Sequence, residues 1–484
     1  GNLNSSLLWT AINWADEDYE MPPKKKLPIN VIADFKKWIE MGAPDPRVIK
    51  AGYVKTEIDI EKGKDFWSFK KPIKRPLPEI KNESWPVSET DHFILAKLDS
   101  NGIIPAVDSK PETLLRRLYF DLIGLPPTPK DIRRYAADWK KDPKIAYQKE
   151  VEKLLSTERF GERWGRHWLD VVRFAESSGK DINMTFPHAW RYRDYVIDSF
   201  NTDKPYNEFI VEQIAGDLLP IKNDEDWQEN LIATGFLAIG PKNLNERDPR
   251  QFALDLADEQ IDTTTQAILG LTVSCARCHD HKSDPIPTAD YYSLAGVFLN
   301  TKTYFGTINA VQNRRGTKLL ELPIQDKQSV DSLSSNEISF IKKRLAESED
   351  RLLELTRQAR EDRLAGRSGN AQQQALRLRT QISQIKGRLN SVDENGELIT
   401  RAMGVQDREG FIQPVVLIRG ELDKPAQQVN LGFPQVLCDE PVKLPKNSSG
   451  RLEFARWLSS KDNPLTARIM VNRIWGYLFG NSIV

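Results

Sequence analysis

The chain has 484 residues, 39% of them hydrophobic and 29% charged, an ordinary soluble composition with enough apolar material for two or more domains. Lys plus Arg balances Asp plus Glu at 69 each, so nothing drives the chain toward nucleic acid or an anionic membrane, and no nucleic-acid partner is expected. No stretch of about 18 apolar residues appears, so no transmembrane segment is expected, and three cysteines exclude a disulfide framework.

Residues 1–50 read as short helices: Ile29, Ile32, Phe35, Trp38 and Ile39 recur at helical spacing, and Gly42 and Pro44 follow as stop signals. A turn around Met21, Pro22 and Pro23 precedes them. Residues 51–90, with KKPIKRPLPEI, read as an extended linker. From 91 to 335 the pattern is helical. Ser109 to Glu112 has the form of a capping box, and Thr128-Pro129 that of a helix start. ERWGRHWLDVVRFAESSG puts Trp164, His167, Trp168 and Val171 on one helix face, and Lys204-Pro205 breaks the next run into two helices.

DEQIDTTTQAILGLTVSCARCHDHK reads as one long helical run, with Asp255, Asp258, Glu259 and Asp262 on its exposed face and first turn. In 336–395, Ile341, Leu345, Leu352 and Leu355, then Leu378, Ile382, Ile385 and Leu389, follow heptad-like spacing around a break at 365–370. That pattern predicts an antiparallel helical hairpin, an obvious docking arm for a protein partner. Residues 411–440 look β-like, and NPLTARIMVNRIWGYLFG returns to helix. The expected fold is mainly α: a helical domain carrying a C-x-x-C-H motif, a long antiparallel helical hairpin insertion and a small β element near the C-terminus.

Residues 274–284, SCARCHDHKSD, hold two of the three cysteines and two of the five histidines. Cys275, Cys278 and His279 form the C-x-x-C-H pattern of c-type haem attachment. On a helical turn, residues three apart share a face, so both thiols can reach the two vinyl groups on one porphyrin edge, and the next imidazole can reach iron. A zinc site drawing on Cys275, Cys278, His279 or His281 competes with this reading, although no second cysteine pair completes a shell of four. A redox dithiol or an inert cysteine pair at a helix end also remains open. The opposite face of the iron could be taken by His167, which points inward among tryptophans and otherwise reads as a core residue. His188 and Met184 are loop alternatives, or that side is open. His281 is too close to His279 to cross the haem, and His92 reads as a surface residue. Asp280, Lys282 and Asp284 form either a self-paired solvated turn or the group that orients the His279 ring through Nδ1. Cys438 reads as a small buried hydrophobe or a spare thiol.

TLLRRLYFDLIGLPPTP, RWGRHWLDVVRFAESSG, WRYRDYVIDSFN, LGLTVSCARCHDHKSDPIPTADYY and NPLTARIMVNRIWGYLFG together resemble the planctomycete cytochrome-c-like family. These are large exported proteins with two adjacent conserved domains, preceded in many members by a small cytochrome c domain. The resemblance covers most of the chain outside the 336–395 hairpin. Together with the linker and hairpin read above, it gives expected domains at 1–50 (the C-terminal remnant of a class I cytochrome c-like domain), 51–90 (linker), 91–335 (the cytochrome-named helical domain), 336–395 (hairpin) and 396–484 (the truncated start of the downstream domain). It further implies that Met21, before Pro-Pro, is the axial ligand of an N-terminal haem; without a C-x-x-C-H before residue 275, that haem half has been cut away or Met21 is a surface or packing residue. Ser283 departs from the resemblance, which leads one to expect an aromatic there. The chain starts without Met and stops without a polar tail, so both ends read as cut.

The first function expected is a periplasmic or extracellular haem c protein working in redox or electron transfer with a redox partner protein. The second is an extracytoplasmic binding or scaffold protein for surface polysaccharide or a protein partner, its Cys-His cluster structural or zinc-binding. The third is a haem- or metal-dependent enzyme acting on a surface glycan. Whether the chain is an enzyme is left open.

Overall fold

The computed structural model describes residues 2–15, 20–22, 25–44, 58–180, 182–307, 313–324, 332–365, 369–389, 391–440 and 442–484. Pro23, the start of the stretch expected to be a linker, 51–57, and half of the hairpin break, 366–368, lie outside the described residues. The chain divides into a unit at 1–57 and a unit at 58–484.

In the first unit, Leu7–Asn13 and Ile29–Glu40 are helices, with Ile12 and Ile39 as their buried side chains. Ser6 caps the first through its side chain, and Gly42, at φ 90°, follows the second. Ile29 is exposed although it lies on the apolar stripe read from the sequence.

The second unit is mainly helical. Pro111–Leu122, Pro129–Lys141 and Pro143–Leu155 bury Leu115, Leu118, Tyr119, Tyr135, Ala146 and Leu154 among themselves. The helix starts at Thr128-Pro129 as expected, and Thr128 and Asp131 form a capping box there that the sequence reading did not single out. Ser109 does not: its hydroxyl accepts from Arg117, and the helix begins at Pro111 without a side-chain cap. The missing N–H of proline at the first position makes a cap less necessary there.

The main core starts at Trp168 of Glu158–Val171, runs through Ala189–Asn201, Tyr206–Ala215, Pro249–Thr264 and Thr288–Leu299, and ends on Phe454, Leu458 and Leu465. Residues read as two sequence regions, 91–335 and 396–484, therefore share one apolar interior. A buried ion cluster joins them as well. Arg451, wholly buried, donates to both Asp217 oxygens at 2.6 and 2.8 Å and to Asp407 at 2.8 Å.

Among the described residues the strands form three antiparallel pairs: Thr301–Tyr304 with Gly404–Asp407, Leu320–Glu321 with Arg401–Ala402, and Val415–Leu417 with Pro425–Gln428. Only the last falls in the stretch expected to be β. The other two are short, and the buried Thr301, Thr303 and Val405 show why they escape a periodicity scan: one face of each strand is a few residues long. Ser335–Leu364 and Ala371–Leu389 are helices that meet through Leu355, Ala371 and Ala375. Among the described residues no helix is long and apolar enough to cross a membrane.

Candidate functional site

The helix that leads toward the C-x-x-C-H motif stops short of it. Pro249–Thr264 gives way to a π turn at Thr265–Leu269, which ends at Gly270 in the left-handed region, φ 66°. A Cβ at residue 270 would come within 2.5 Å of Ile469 Cδ1, so glycine serves both the turn and the approach of the last helix, Thr466–Phe479. Arg473 of that helix donates to the carbonyls of Gln266 and Ala267, two acceptors that a helix end leaves over. The expected single helical run is thus corrected to a helix, a reversal and a separate 3₁₀ turn, Val273–Arg277.

That turn sorts the motif by side. With three residues per turn, side chains at i and i+3 eclipse. Cys275 and Cys278 are both exposed free thiols, and His279 beside them is exposed. Val273 and Ala276 are buried instead. Ser274 and Arg277 turn back toward Pro249–Thr264. Ser274 Oγ donates to the Asp258 carbonyl at 3.2 Å, and Arg277 pairs with Asp255 at 2.8 Å and Asp258 at 3.2 Å. Burial works against the Arg277 charge, but Tyr291 and the two carboxylates outweigh it and raise its pKa. The acidic residues expected to form an exposed face are therefore corrected: Asp255 and Asp258 anchor the motif. Sequence reasoning missed Arg277. Its position between the two cysteines, after a helix with acids three apart, was the available signal.

Two neighbours finish the support. The Tyr292 hydroxyl donates to the Arg277 carbonyl at 3.0 Å, and burial pushes its own pKa up to about 12. Gly420, at φ 72°, lies so close to Cys278 that a Cβ there would stand 3.0 Å from Sγ.

The two motif histidines differ in what they can still do. His279 Nδ1 donates to the Asp280 carbonyl at 2.7 Å, which leaves Nε2 as the lone-pair nitrogen. His281 Nδ1 accepts from the backbone N–H of Asp284 at 2.8 Å, so Nε2 carries the proton and donates to Thr272 Oγ1 at 3.0 Å. Its side chain is only 7% exposed. His281 staples the loop and has no nitrogen to offer. Asp280 does hold the His279 ring, but through its backbone carbonyl. Its carboxylate accepts from the Thr288 N–H at 2.9 Å and hydroxyl at 3.1 Å, capping Thr288–Leu299. Among the described residues no group of three or more His, Cys, Asp or Glu is placed to hold a metal ion.

The remaining sequence candidates lie elsewhere. His167 stacks on Tyr477, ring centroids 4.0 Å apart, with Trp164 edge-on at 5.4 Å. Burial, with Arg163 and Arg166 adding to it, lowers its pKa. None of its described ring or charge contacts is to residues 274–284. Met184 is half-buried against the main core, and its N–H binds Ser178 Oγ at 2.9 Å. Met21 belongs to the 1–57 unit, where it is 55% exposed and its N–H donates to the Ala11 carbonyl. Cys438 is half-buried, and burial pushes its thiol up to about 11.

Residues 89–303 match the family described as PSCyt2, protein of unknown function (DUF1549). Residues 450–484 match PSD1, protein of unknown function (DUF1553). The first match contains the whole Cys275–His279 turn and its anchors, and the second contains Arg451 and Arg473. No curated protein and no solved structure matches the chain. In this order along the chain the two matches are to the domain pair of the planctomycete cytochrome-c-like family.

Proposed function

We propose that the chain is an exported c-type haem protein with a redox or electron-transfer role. The supporting observation is the division of labour on one turn. Two free thiols sit three residues apart on the exposed side of a 3₁₀ turn, and the next residue is a histidine whose Nδ1 is already engaged. Iron-ligating histidines have this form, the far nitrogen held by a carbonyl and the near one free. On this reading Cys275 and Cys278 would anchor a porphyrin, His279 would hold its iron through Nε2, and the bound group would supply a one-electron redox couple. The chain's own part is to hold the ring of His279 through Asp280, to pin the turn through Arg277, and to keep His281 from competing. No zinc shell is assembled at the turn among the described residues, and His281 is already committed to Thr272 and Asp284. Haem is attached to such motifs outside the cytoplasm, so a periplasmic or extracellular location follows from the proposal.

The test is expression with export and cytochrome c maturation factors, followed by visible spectra. A Soret band that stays with the polypeptide after acid–acetone extraction is expected, lost in Cys275→Ser/Cys278→Ser. A matured preparation with no band, whether it holds one zinc per chain or no metal, would overturn the proposal in favour of a structural or zinc-binding cluster on a scaffold protein.

A further inference from the structure

A cavity of about 350 Å³ that the haem reading does not use opens between helices of the two matched stretches. Five aromatic rings wall it: Phe160 and Trp164 of Glu158–Val171, Phe200 of Ala189–Asn201, and Tyr206 and Phe209 of Tyr206–Ala215. Met470 and Ile474 of Thr466–Phe479 line it as well. The rings meet tilted or edge-on: Phe160 lies 6.1 Å from Trp164 and 6.3 Å from Phe200, and Phe200 lies 6.2 Å from Phe209. A cavity of this size with mostly apolar walls and few polar groups is the usual form of a small-molecule site.

Ser199, Asp203 and Lys204 supply the polar groups, all from the end of Ala189–Asn201 and the turn after it. Ser199 Oγ gives its hydrogen to the Tyr195 carbonyl at 2.7 Å, so only its lone pairs remain. Lys204 is held by Glu212 and by Glu229, the latter at 2.6 Å. Two carboxylates thus meet one ammonium, and the carboxylate of Asp203 has no partner among the described contacts. Asp198, on the last turn of the helix, has its pKa raised by burial first and then by Asp194, Glu229 and Glu158, as a negative field at that end requires. The carbonyl end of the helix dipole adds to that field.

We propose that this cavity binds a small quaternary ammonium ion. Aromatic faces and a negative rim attract a cation that carries its own apolar surface. An anion would meet Asp203 and the helix end, and among the described residues the one cation that lines the cavity, Lys204, is already paired. A primary ammonium would bring three N–H groups among apolar walls with few acceptors, and each one left without a partner costs free energy. Methyl groups on the nitrogen remove that demand and keep the charge. The inference is independent of what Cys275–His279 carries.

The experiment is a titration of the full, folded chain with choline and, separately, with dimethylbutanol of the same shape, carbon standing in place of the charged nitrogen. Binding is read by tryptophan fluorescence and by saturation-transfer NMR. Choline is expected to saturate in the millimolar range, about fivefold or more tighter than the uncharged alcohol. Asp203→Asn should weaken choline about twofold to threefold and leave the alcohol unchanged. Asparagine accepts the left-handed backbone of residue 203, φ 54°, so this variant keeps its fold. Phe200→Leu, which removes one ring, should weaken choline by about threefold or more. Equal affinity for the two probes would overturn the proposal and leave a cavity without charge preference. So would choline that fails to saturate by about 50 mM. Both of these readings come from the parent protein, so neither depends on how a variant folds.

Discussion

Arg277, in the middle of C-x-x-C-H, is bonded to Asp255 through Nη2 and Oδ1 at 2.8 Å, twenty-two residues back along the chain. Asp258, one turn on, takes the other nitrogen. The motif is thereby held from behind, and both cysteines are left on the outer side. Arg277→Met strands two partly buried carboxylates. A stability loss of roughly 1–3 kcal/mol is expected, less than for a fully buried pair because Asp255 still reaches water. Urea unfolding measures it. The same variant should show lower haem occupancy after maturation, and unchanged occupancy would separate the anchor from the attachment.

Gly420→Ala tests the packing at Cys278. The backbone there is left-handed, so a methyl group costs about 1–2 kcal/mol before any contact is considered. The added Cβ also presses on Sγ. Slower alkylation of Cys278 than of Cys275 in the variant, relative to the parent protein, is the expected outcome, read by mass spectrometry.

Arg451 offers a sharper stability test. It is wholly buried, with Asp217 and Asp407 as its partners. Arg451→Met removes the cation and leaves both acids, so a loss of roughly 3–5 kcal/mol is expected. The urea midpoint should fall, and the loss should shrink when Asp217→Asn is added. Equal stability of the single variant and the parent would show that the cluster contributes nothing net.

His167 gives a pH prediction. Its folded-state pKa lies below the ordinary 6.5, with burial as the main cause. The unfolded chain therefore takes up the proton first as pH falls. The stability contribution is present above about pH 6.5, declines below it, and levels off under the folded-state value. His167→Gln should flatten the decline measured between about pH 7.5 and about pH 5. An unchanged slope would place the titration elsewhere.

Much of the helical text was legible because its signals are local. The start at Thr128-Pro129, the break at Lys204-Pro205 and the stop at Gly42 depend on residues within one turn of each other. The motif itself was equally plain. Its setting was not. The helix before it ends in a π turn because Gly270 must let Ile469 approach, and that contact spans about two hundred residues. Asp255 and Asp258 looked like a solvated face, since an acid in a helix carries no local mark of the arginine it will meet. His279 and His281 are indistinguishable in composition and two positions apart. Only the carbonyl of Asp280, the Asp284 N–H and the Thr272 hydroxyl tell the free nitrogen from the engaged one.

By itself, then, the sequence determined a mainly helical chain and where two thiols and an imidazole come together, because periodicity, caps and the spacing of a short motif are carried by neighbours in the chain. The tertiary structure alone decided which histidine keeps a lone pair, which way Arg277 faces, and that rings from three helices meet around one cavity. Those properties are set by groups distant in sequence, and burial and electrostatic pairing act through space with no trace in the local pattern.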